Sequence, residues 1–399
     1  MLSNCIKNLL NLKEVNVKSV KNLKNSVEIY AELPISEQVC PCCGTTTSKI
    51  HDHYTQPIRD IPAQLKPTTI FLKKTRYECK NCGKSFYPQN NFVAKYKRKS
   101  KRLVYYIVEQ LKNNISASTI AKNINIDAGF ISKMLPYLSI TNSTLPRVLC
   151  IDEFKGNSGK YKYQVALLDG ETHKVIDVLE CRHKHFLCDY FKKFPKEQLD
   201  NVKYLVTDLW ESYKDIGMTY FRKAKIVADH FHWARYACNA LDKIRIEVQS
   251  NLPKSERKYF KHSRHLLLSR RCKIKEDRYD ELENMLINYS ENLRIAYREK
   301  ECLLDIIHSE DSSENKKKLF SEWVKRNLDS PVPQLVECAK TYQHWSYEIK
   351  NSLEVPYSNG PIEGTNNKIK ALKRVTFGMT NFENFKARIM LLNLINYIY

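Results

Sequence analysis

The sequence predicts a multidomain α+β protein. Three observations indicate this fold class: two cysteine pairs with the spacing of a zinc ribbon, helical periodicity over residues 95–140, and strand-like stretches after residue 146 that alternate with helical ones. A chain of 399 residues exceeds what one hydrophobic core usually serves. We therefore expect several domains, each built around its own core.

Composition and charge indicate a soluble protein with a polyanionic partner. Hydrophobic residues make up 42% and charged residues 28% of the chain, which is ordinary for a folded soluble protein. The longest apolar stretch, near residues 389–398, is interrupted by Asn393 and Asn396, so we expect no membrane span. The net charge of +22 favours nucleic acid as partner, and a basic surface without a partner is the alternative. The odd cysteine count of 13 and the lack of a secretory signal in residues 1–13 favour a reducing cytoplasm as the location.

The N-terminal segment, residues 1–94, carries two CxxC pairs that are each followed by glycine, CPCCG from Cys40 and CKNCG from Cys79. Glycine permits a tight knuckle whose amides turn toward the sulfurs, and four thiolates are typical of structural Zn²⁺. Cys42 is expected to be a bystander, although the extra cysteine leaves the choice of sulfur open. His51 and His53 are alternative ligands, and chance spacing is the alternative to a metal site. The expected zinc ligands are Cys40, Cys43, Cys79 and Cys82.

Residues 95–140 predict a helix-turn-helix DNA-binding domain. A basic cluster precedes an apolar-faced helix at residues 103–111, Ser116 caps a second helix, and Asp127 caps a third after a break near Asn125. The third helix would present Ser132 and Lys133 to a DNA groove. A generic helical hairpin is the alternative. The basic cluster would contact phosphates through Lys97, Arg98, Lys101 and Arg102.

Residues 146–232 predict the first part of a catalytic core. Strand-like stretches at 147–154, 161–169 and 174–180 precede a helical stretch, a strand ending at Asp208, a helix and a strand ending at Asp229. This order is that of a ribonuclease-H-like α/β domain. Helical periodicity then dominates residues 233–350, with breaks at 311–314 and 330–333, and predicts an all-helical insertion. Residues 351–399 return to the core.

Carboxylates end two strands and stand at the start of a late helix. Asp152 and Asp208 each follow an apolar run, and Glu363 lies in the first turn of a helix that Asn359 can cap and in which Pro361 is early. Three carboxylates without nearby Cys or His suit two Mg²⁺ or Mn²⁺ ions that clamp a phosphodiester. Each aspartate taken alone could equally be a turn residue. Downstream on the same helix, Asn366, Asn367, Lys370 and Arg374 predict a ridge that contacts phosphate, a solvated basic face being the alternative.

Together these motifs resemble the ISL3 family of insertion-sequence transposases. The resemblance spans nearly the whole chain and is carried by CPCCG and CKNCG, IDEF from Ile151, VTDLWESY from Val206, ADHFHWAR from Ala228 and SNGPIEGTNNKIKALKR from Ser358. It implies that Asp152, Asp208 and Glu363 form a DDE triad, and that the protein cleaves transposon ends and transfers the 3′-hydroxyl into target DNA. Asp229, with His232, either supports this site or replaces Asp208. We favour Asp208, because its strand is expected beside the strand of Asp152.

Two other functions compete with this interpretation. One is a sequence-specific DNA-binding regulator derived from a transposase and without cleavage activity. The other is a nuclease or resolvase on the same fold. The expected partner in each case is double-stranded DNA, and joining two transposon ends implies at least a homodimer in the synaptic complex.

Overall fold

A computed structural model describes residues 11–12, 15–138, 144–156, 158–262 and 264–392. The first residues of the domain expected over 1–94 lie outside the described residues. So do the last residues of the domain expected over 95–140. The chain divides into two compact units. The first comprises residues 1–139, 371–379 and 383–399, and the second comprises residues 140–370 and 380–382. The five segments drawn from the sequence stay a prediction.

The first unit contains a five-stranded sheet in the order β1-β2-β6-β5, with β7 also paired to β6. Strands β5 and β6 form a long antiparallel hairpin, and β2 runs parallel to β6. Alternating apolar residues such as Ile29, Ile58, Ile70 and Leu72 are fully buried on one face, as the two-residue period of a strand requires. The strands are β1 (Asn16–Asn22), β2 (Val27–Glu32), β3 (Gln38–Val39), β4 (Thr46–Thr47), β5 (Ile50–Ala63), β6 (Lys66–Glu78) and β7 (Ser85–Phe86).

Three short helices follow in the first unit: α1 (Lys101–Lys112), α2 (Ala117–Ile124) and α3 (Ala128–Met134). Ser100 and Ser116 cap the first two by accepting hydrogen bonds from backbone amides, and Asn125 ends α2 in a left-handed conformation with φ 50°. The expected cap at Asp127 is wrong in one respect. Asp127 precedes α3, but its side chain makes no capping hydrogen bond.

The second unit contains a five-stranded sheet in the order β10-β9-β8-β11-β12. The three strands β8 (Val148–Lys155), β9 (Tyr163–Asp169) and β10 (Val175–Leu179) are antiparallel. Strands β11 (Tyr204–Thr207) and β12 (Lys225–Ala228) run parallel to β8. The predicted succession of strands is confirmed. Two helices, α4 (Lys184–Phe191) and α5 (Lys196–Asn201), separate β10 from β11, and α6 (Glu211–Tyr220) separates β11 from β12.

A helical region follows β12 around a core that includes the buried Trp233, Phe320, Trp323 and Tyr342. The breaks expected at 311–314 and 330–333 are confirmed to within two residues, because the helices are interrupted at 309–312 and 329–332. Its helices are α7 (His230–Asn251), α8 (Lys254–His262), α9 (Arg264–Leu268), α10 (Tyr279–Asn288), α11 (Glu291–His308), α12 (Ser313–Leu328), α13 (Pro333–His344) and α14 (Ser346–Ser352).

Two helices complete the described chain, α15 (Gly360–Val375) and α16 (Phe382–Leu392). In the first unit, Ala387 and Leu391 of α16 share a core with α1–α3, and the buried Arg388 donates to the carbonyl of Ile115 at 2.9 Å. Within the described ranges, no helix combines the length and the apolar character needed to cross a bilayer.

Candidate functional site

Three neighbouring parallel strands of the second unit bring three aspartates to the same level of the sheet. Cys150 of β8 pairs with Val206 of β11, and Thr207 of β11 pairs with Ala228 of β12. Asp152 and Asp208 each lie two residues beyond the first pair, and Asp229 lies one residue beyond Ala228. Neighbouring strands are about 4.8 Å apart, so the three carboxyl groups collect at one edge. The strand of Asp208 lies beside that of Asp152, as the sequence predicted.

Asp152 is a buried carboxylate that is held in place by hydrogen bonds. Its Oδ1 accepts from the Glu153 amide at 2.7 Å, and its Oδ2 accepts from Nδ2 of Asn366 at 2.9 Å. Burial raises the pKa of Asp152 to about 6, although the Glu153 amide opposes the shift. The folded protein therefore keeps this negative charge at an energetic cost.

Asp208 has the fewest hydrogen-bond partners of the three aspartates among the described residues. Its Oδ1 is buried without a hydrogen-bond partner among the described residues. Burial and then the nearby charge of Asp152 raise its pKa to about 6. A buried carboxylate oxygen without a partner is costly unless something else binds it.

Asp229 has partners for both oxygens. Its Oδ2 caps α7 by accepting from the His232 amide at 3.2 Å and lies 3.1 Å from the His232 ring, and its Oδ1 accepts from the Asn359 amide at 2.8 Å. Burial opposes ionisation, but the bonds with His232 and Asn359 outweigh it and hold the pKa of Asp229 below its usual value. In return, Asp229 raises the pKa of His232. Both carboxylate oxygens of Asp229 thus have partners within the protein, whereas Oδ1 of Asp208 has none among the described residues.

Asn359 fixes where α15 begins. Its amide bonds Asp229 and its Nδ2 donates to the carbonyl of Ile151 at 3.2 Å, while its own carbonyl accepts from the Glu363 amide at 3.0 Å. Asn359 precedes the helix as the sequence predicted, but its side chain binds β8 instead of capping the helix. The start of α15 is therefore bonded to the strand that carries Asp152.

Asn366 brings the next turn of α15 to the carboxylates. The sequence assigned Asn366 to a ridge that contacts phosphate, but its side chain is instead buried and donates to Asp152. Glu363 lies three residues earlier, so the β-carbons of the two residues are about 5–6 Å apart on the helix surface. Glu363 is exposed. Its carboxylate therefore lies within a side chain's reach of Asp152 and stays accessible to solvent.

Asp152, Asp208 and Glu363 do not form a tight cluster. Among the described residues, the only three or more candidate metal-binding side chains with all donor atoms within 4.8 Å are four cysteines. A two-metal site does not need a tighter arrangement, since ions about 3.5–4 Å apart separate the oxygens that bind each of them.

The donors nevertheless fit a hard divalent cation. The oxygen Asp208 Oδ1 is buried and unpartnered, and so are the amide oxygens of Asn359 and Asn366. Burial raises the pKa of both aspartates, and the charge of Asp152 raises that of Asp208 further, although His232 opposes the shift at each. Oxygen ligands and excess negative charge suit Mg²⁺ or Mn²⁺ better than softer metals.

An arginine behind the site was not found by sequence reasoning. Arg182 donates to both oxygens of Glu153 at 2.5 and 2.6 Å, and its guanidinium lies over the rings of Tyr163 and Trp210. Glu153 is therefore already paired. The CRHK stretch carries no signal that would identify this arginine, because its partner Glu153 lies on β8, 29 positions earlier.

The two cysteine knuckles of the first unit meet. The sulfurs of Cys40 and Cys82 are 3.6 Å apart, and those of Cys43 and Cys79 are 3.5 Å apart. Tetrahedral zinc with Zn–S bonds of about 2.3 Å sets sulfurs about 3.8 Å apart, so the arrangement fits Zn²⁺. Gly44 and Gly83 have φ of 75° and 70°, as the knuckles predicted.

Local hydrogen bonds favour the thiolate form of Cys43. The hydroxyl and amide of Thr45 lower the pKa of Cys43 to about 6. Cys42 is exposed and outside the cluster, so the choice of sulfur is settled. The alternatives are also resolved: His51 contacts Asp52 and His53 contacts Thr75, and neither belongs to the cluster.

Only some of the side chains predicted to contact phosphate in the first unit are free to bind DNA. Lys97, Arg98 and Lys101 are exposed, but Arg102 is bonded to the fully buried carboxylate of Asp60, which Ser100 also donates to. Arg102 therefore neutralises a buried charge of the fold.

The remaining predicted DNA contacts lie on two helices. On α3, Lys133 is exposed and Ser132 is half-buried. On α15, Asn367, Lys370 and Arg374 are all exposed, and Nζ of Lys370 lies 3.4 Å from Oδ1 of Asn367.

Comparison with known proteins agrees with these two sites. The family model of the ISL3-type DDE transposase, described as a transposase, matches residues 149–389. A second model, the zinc finger of the transposases IS204, IS1001, IS1096 and IS1165, matches residues 36–82. The first match contains all three predicted carboxylates, and the second contains all four clustered cysteines.

Individual relatives were also found. The transposase for insertion sequence element IS1001 of Bordetella parapertussis is 21% identical over 372 residues, which cover 91% of each chain. A protein named ATP-dependent protease from Lactococcus lactis subsp. lactis is 34% identical over 111 residues, 28% of this chain and 34% of that protein. The second match is too partial to indicate an activity. With its catalytic-region family model matched over more than half of the chain, this protein belongs to the ISL3 family of transposases.

Proposed function

We propose that this transposase binds the terminal inverted repeats of its element, cleaves the DNA ends and transfers the 3′-hydroxyl strands into target DNA. The observation that carries the proposal is the convergence of Asp152, Asp208 and the Glu363 helix at one edge of a five-stranded sheet. Three antiparallel strands followed by two parallel ones support a ribonuclease-H-like core. The family match supports the same chemistry.

Asp152, Asp208 and Glu363 are the residues we assign to two Mg²⁺ or Mn²⁺ ions. When bound, such ions lower the pKa of an attacking water or 3′-hydroxyl and stabilise the leaving oxygen. The protein's part is to hold the three carboxylates. Asn366 orients Asp152, and Asn359 fixes the start of the helix that bears Glu363. We assign Asp229 and His232 to support of this arrangement, because Asp229 already has protein partners.

The first unit supplies DNA recognition in this proposal. Helices α1–α3 have the length and spacing of a helix-turn-helix, with Ser132 and Lys133 toward a groove and Lys97, Arg98 and Lys101 on phosphates. We remove Arg102 from the contact set. On α15, Asn367, Lys370 and Arg374 would also contact DNA. A homodimer or larger assembly, formed in the bacterial cytoplasm at the nucleoid, would hold two transposon ends.

The test uses a plasmid that carries the encoding element with its flanking DNA. Full-length zinc-loaded protein should nick or cut at the element ends in Mg²⁺ and join the 3′ ends to target DNA. Asp152→Asn and Glu363→Gln should abolish both products, whereas Glu337→Gln, an exposed carboxylate on α13, should leave them unchanged. Binding without cleavage by the wild type would favour the regulator. Cleavage without joining would favour the nuclease. Equal activity of Asp152→Asn would overturn the assignment.

Mg²⁺ should stabilise the fold more at about pH 7.5 than at about pH 5. The pKa values of Asp152 and Asp208 rise from 3.8 to about 6, so without metal the folded protein loses stability as the pH rises through this range. Above about pH 6 both carboxylates are charged and Mg²⁺ relieves the repulsion, whereas below it protons compete with the ion. Thermal melting with and without Mg²⁺ measures the difference. The double variant Asp152→Asn/Asp208→Asn should lose it, and an equal Mg²⁺ shift in that variant would contradict the site.

A further inference from the structure

We propose that Tyr96 is a wedge that inserts its ring between adjacent base pairs of the DNA bound by the first unit. Tyr96 lies in the segment Lys95–Lys99, which we call the basic loop. The inference rests on the DNA-binding role proposed above and adds to it a distortion of the duplex. Backbone strain, exposure and charge at the basic loop each support it.

Tyr96 is held in a conformation that tyrosine rarely adopts. The Lys97 amide donates to the Ala94 carbonyl at 3.0 Å, which makes Tyr96 the third residue of a four-residue turn, and its φ is 62°. This position with positive φ favours glycine or asparagine. A bulky residue there is strained, and such strain persists only where the surrounding structure imposes it.

The surroundings of the basic loop impose it. The Arg59 amide donates to the Arg98 carbonyl, and the Ser100 amide donates back to the Arg59 carbonyl, both at 2.9 Å. Nε2 of Gln56 donates to the Lys97 carbonyl at 2.9 Å. The turn is thus bonded to strand β5 immediately after the tyrosine, and the strained residue stands on a fixed base.

The strained backbone of Tyr96 is not offset by packing of its side chain within the first unit. Tyr96 is 88% exposed, so its ring contributes little to any core. Nζ of Lys95 lies 5.0 Å from the ring centroid. An aromatic ring that is displayed at a backbone cost and without burial points to a partner outside the unit.

Charge identifies the partner. Lys95, Lys97 and Arg98 are exposed and, within the part of the chain described, have no carboxylate at ion-pair distance. Two acidic groups beside the loop already have partners: Asp60 is bonded to Arg102 and Ser100, and Asp127 interacts with Lys99. Nζ of Lys99 also lies over the Phe130 ring of α3 at 3.9 Å, which connects the loop to the proposed recognition helix.

Duplex DNA can bind both the exposed ring of Tyr96 and the exposed cations of the basic loop. Cations on either side of the ring match the phosphates that flank a base step, and their contacts offset the cost of unstacking that step. An aromatic ring stacks on any base, so insertion needs no particular sequence. The expected consequence is local unwinding and kinking of the bound duplex.

The first unit also contains a matched control. Leu65, at the tip of the β5–β6 hairpin, has φ 61° and is 99% exposed, but its neighbour Lys66 is bonded to Asn22 and to the Leu23 carbonyl. Leu65 therefore shares the strain and the exposure of Tyr96 without its free cations. Leu65→Gly should leave DNA distortion unchanged.

The experiment measures unwinding of a closed circular plasmid of unrelated sequence. Zinc-loaded full-length protein is bound without added Mg²⁺, the plasmid is relaxed by a topoisomerase that needs no divalent cation, and the topoisomers are separated after deproteinisation. Wild type and Tyr96→Phe should shift the linking number in proportion to bound protein. Tyr96→Gly should lose the shift at equal occupancy and melt no lower than wild type, because glycine relieves the backbone.

The outcomes separate this inference from the proposed function. A wild-type protein that binds the plasmid without changing its linking number overturns the wedge and leaves DNA binding intact. So does full unwinding by Tyr96→Gly, or an equal loss in Leu65→Gly. If the wild type binds no DNA, both the wedge and the proposed DNA-binding role fail.

Discussion

Asp208→Asn is expected to lower the rate of cleavage by about 10³-fold or more while stabilising the metal-free fold by on the order of 1 kcal/mol. The rate falls because an amide is a poor replacement for a charged metal ligand. Stability rises because the substitution removes a buried charge whose pKa is already raised to about 6 and whose Oδ1 has no partner. Single-turnover cleavage and denaturant unfolding with a chelator that spares zinc measure the two effects.

Asp229→Asn is the matched comparison and should change stability in the opposite direction. Its carboxylate caps α7 and bonds the Asn359 amide, so we expect a loss of about 1–3 kcal/mol in the free energy of unfolding. Cleavage should fall by about 10- to 100-fold, the range for residues that support metal ligands. If Asp229→Asn were instead inactive and more stable, with Asp208→Asn mildly affected, the roles of the two aspartates would be exchanged.

Cys79→Ser should release zinc and unfold the ribbon. Binding of structural zinc contributes about 10–16 kcal/mol in small zinc domains, so a ribbon without it has little else to hold its two knuckles together. The short pairs β3–β4 and β6–β7 cannot replace the metal. We expect loss of the bound zinc, loss of amide-exchange protection over the two knuckles at residues 38–47 and 79–86, and weaker binding of element ends. The β5–β6 hairpin between them should keep its protection, because it pairs within the five-stranded sheet.

Cys42→Ser is the control for that experiment. Cys42 lies between the ligands in sequence but is exposed and outside the sulfur cluster, so this variant should keep one zinc per chain and normal amide exchange. Zinc content by elemental analysis and hydrogen exchange by mass spectrometry distinguish the two variants. Equal zinc content in Cys79→Ser would show that the four sulfurs are not the metal site.

Local sequence patterns were sufficient for most elements of the fold. Strands β8, β11 and β12 could be predicted because each contains a short apolar run that leads to an aspartate, and the knuckles because glycine follows each CxxC. The expectation that Asp152 ends its strand is wrong, because β8 continues to Lys155 and stays paired with β9. The helix breaks near residues 311 and 331 follow from serine and proline. In each case a few neighbouring residues determine the structure.

Pairings over long sequence separations could not be predicted. Asn366 looks like one more polar residue on a basic helix, and only the fold shows that it contacts Asp152, 214 positions away. Arg102 belongs to a run of cations, but the buried Asp60, 42 positions earlier, occupies it. Helical spacing and charge patterns do not show which one of several similar polar side chains points into the protein.

The hydrogen bond between Asp229 and the Asn359 amide joins residues 130 positions apart. The helical region thus begins and ends at neighbouring positions beside β12, where Nε1 of Trp233 donates a hydrogen bond to Oγ of Ser352 and Nδ2 of Asn351 donates one to the carbonyl of Ile226. Because the two ends of the helical region lie side by side, the length and content of this region can change without displacing the strands. The helical region can therefore differ in length or content while the sheet edge that carries Asp152, Asp208 and Asp229 keeps its geometry.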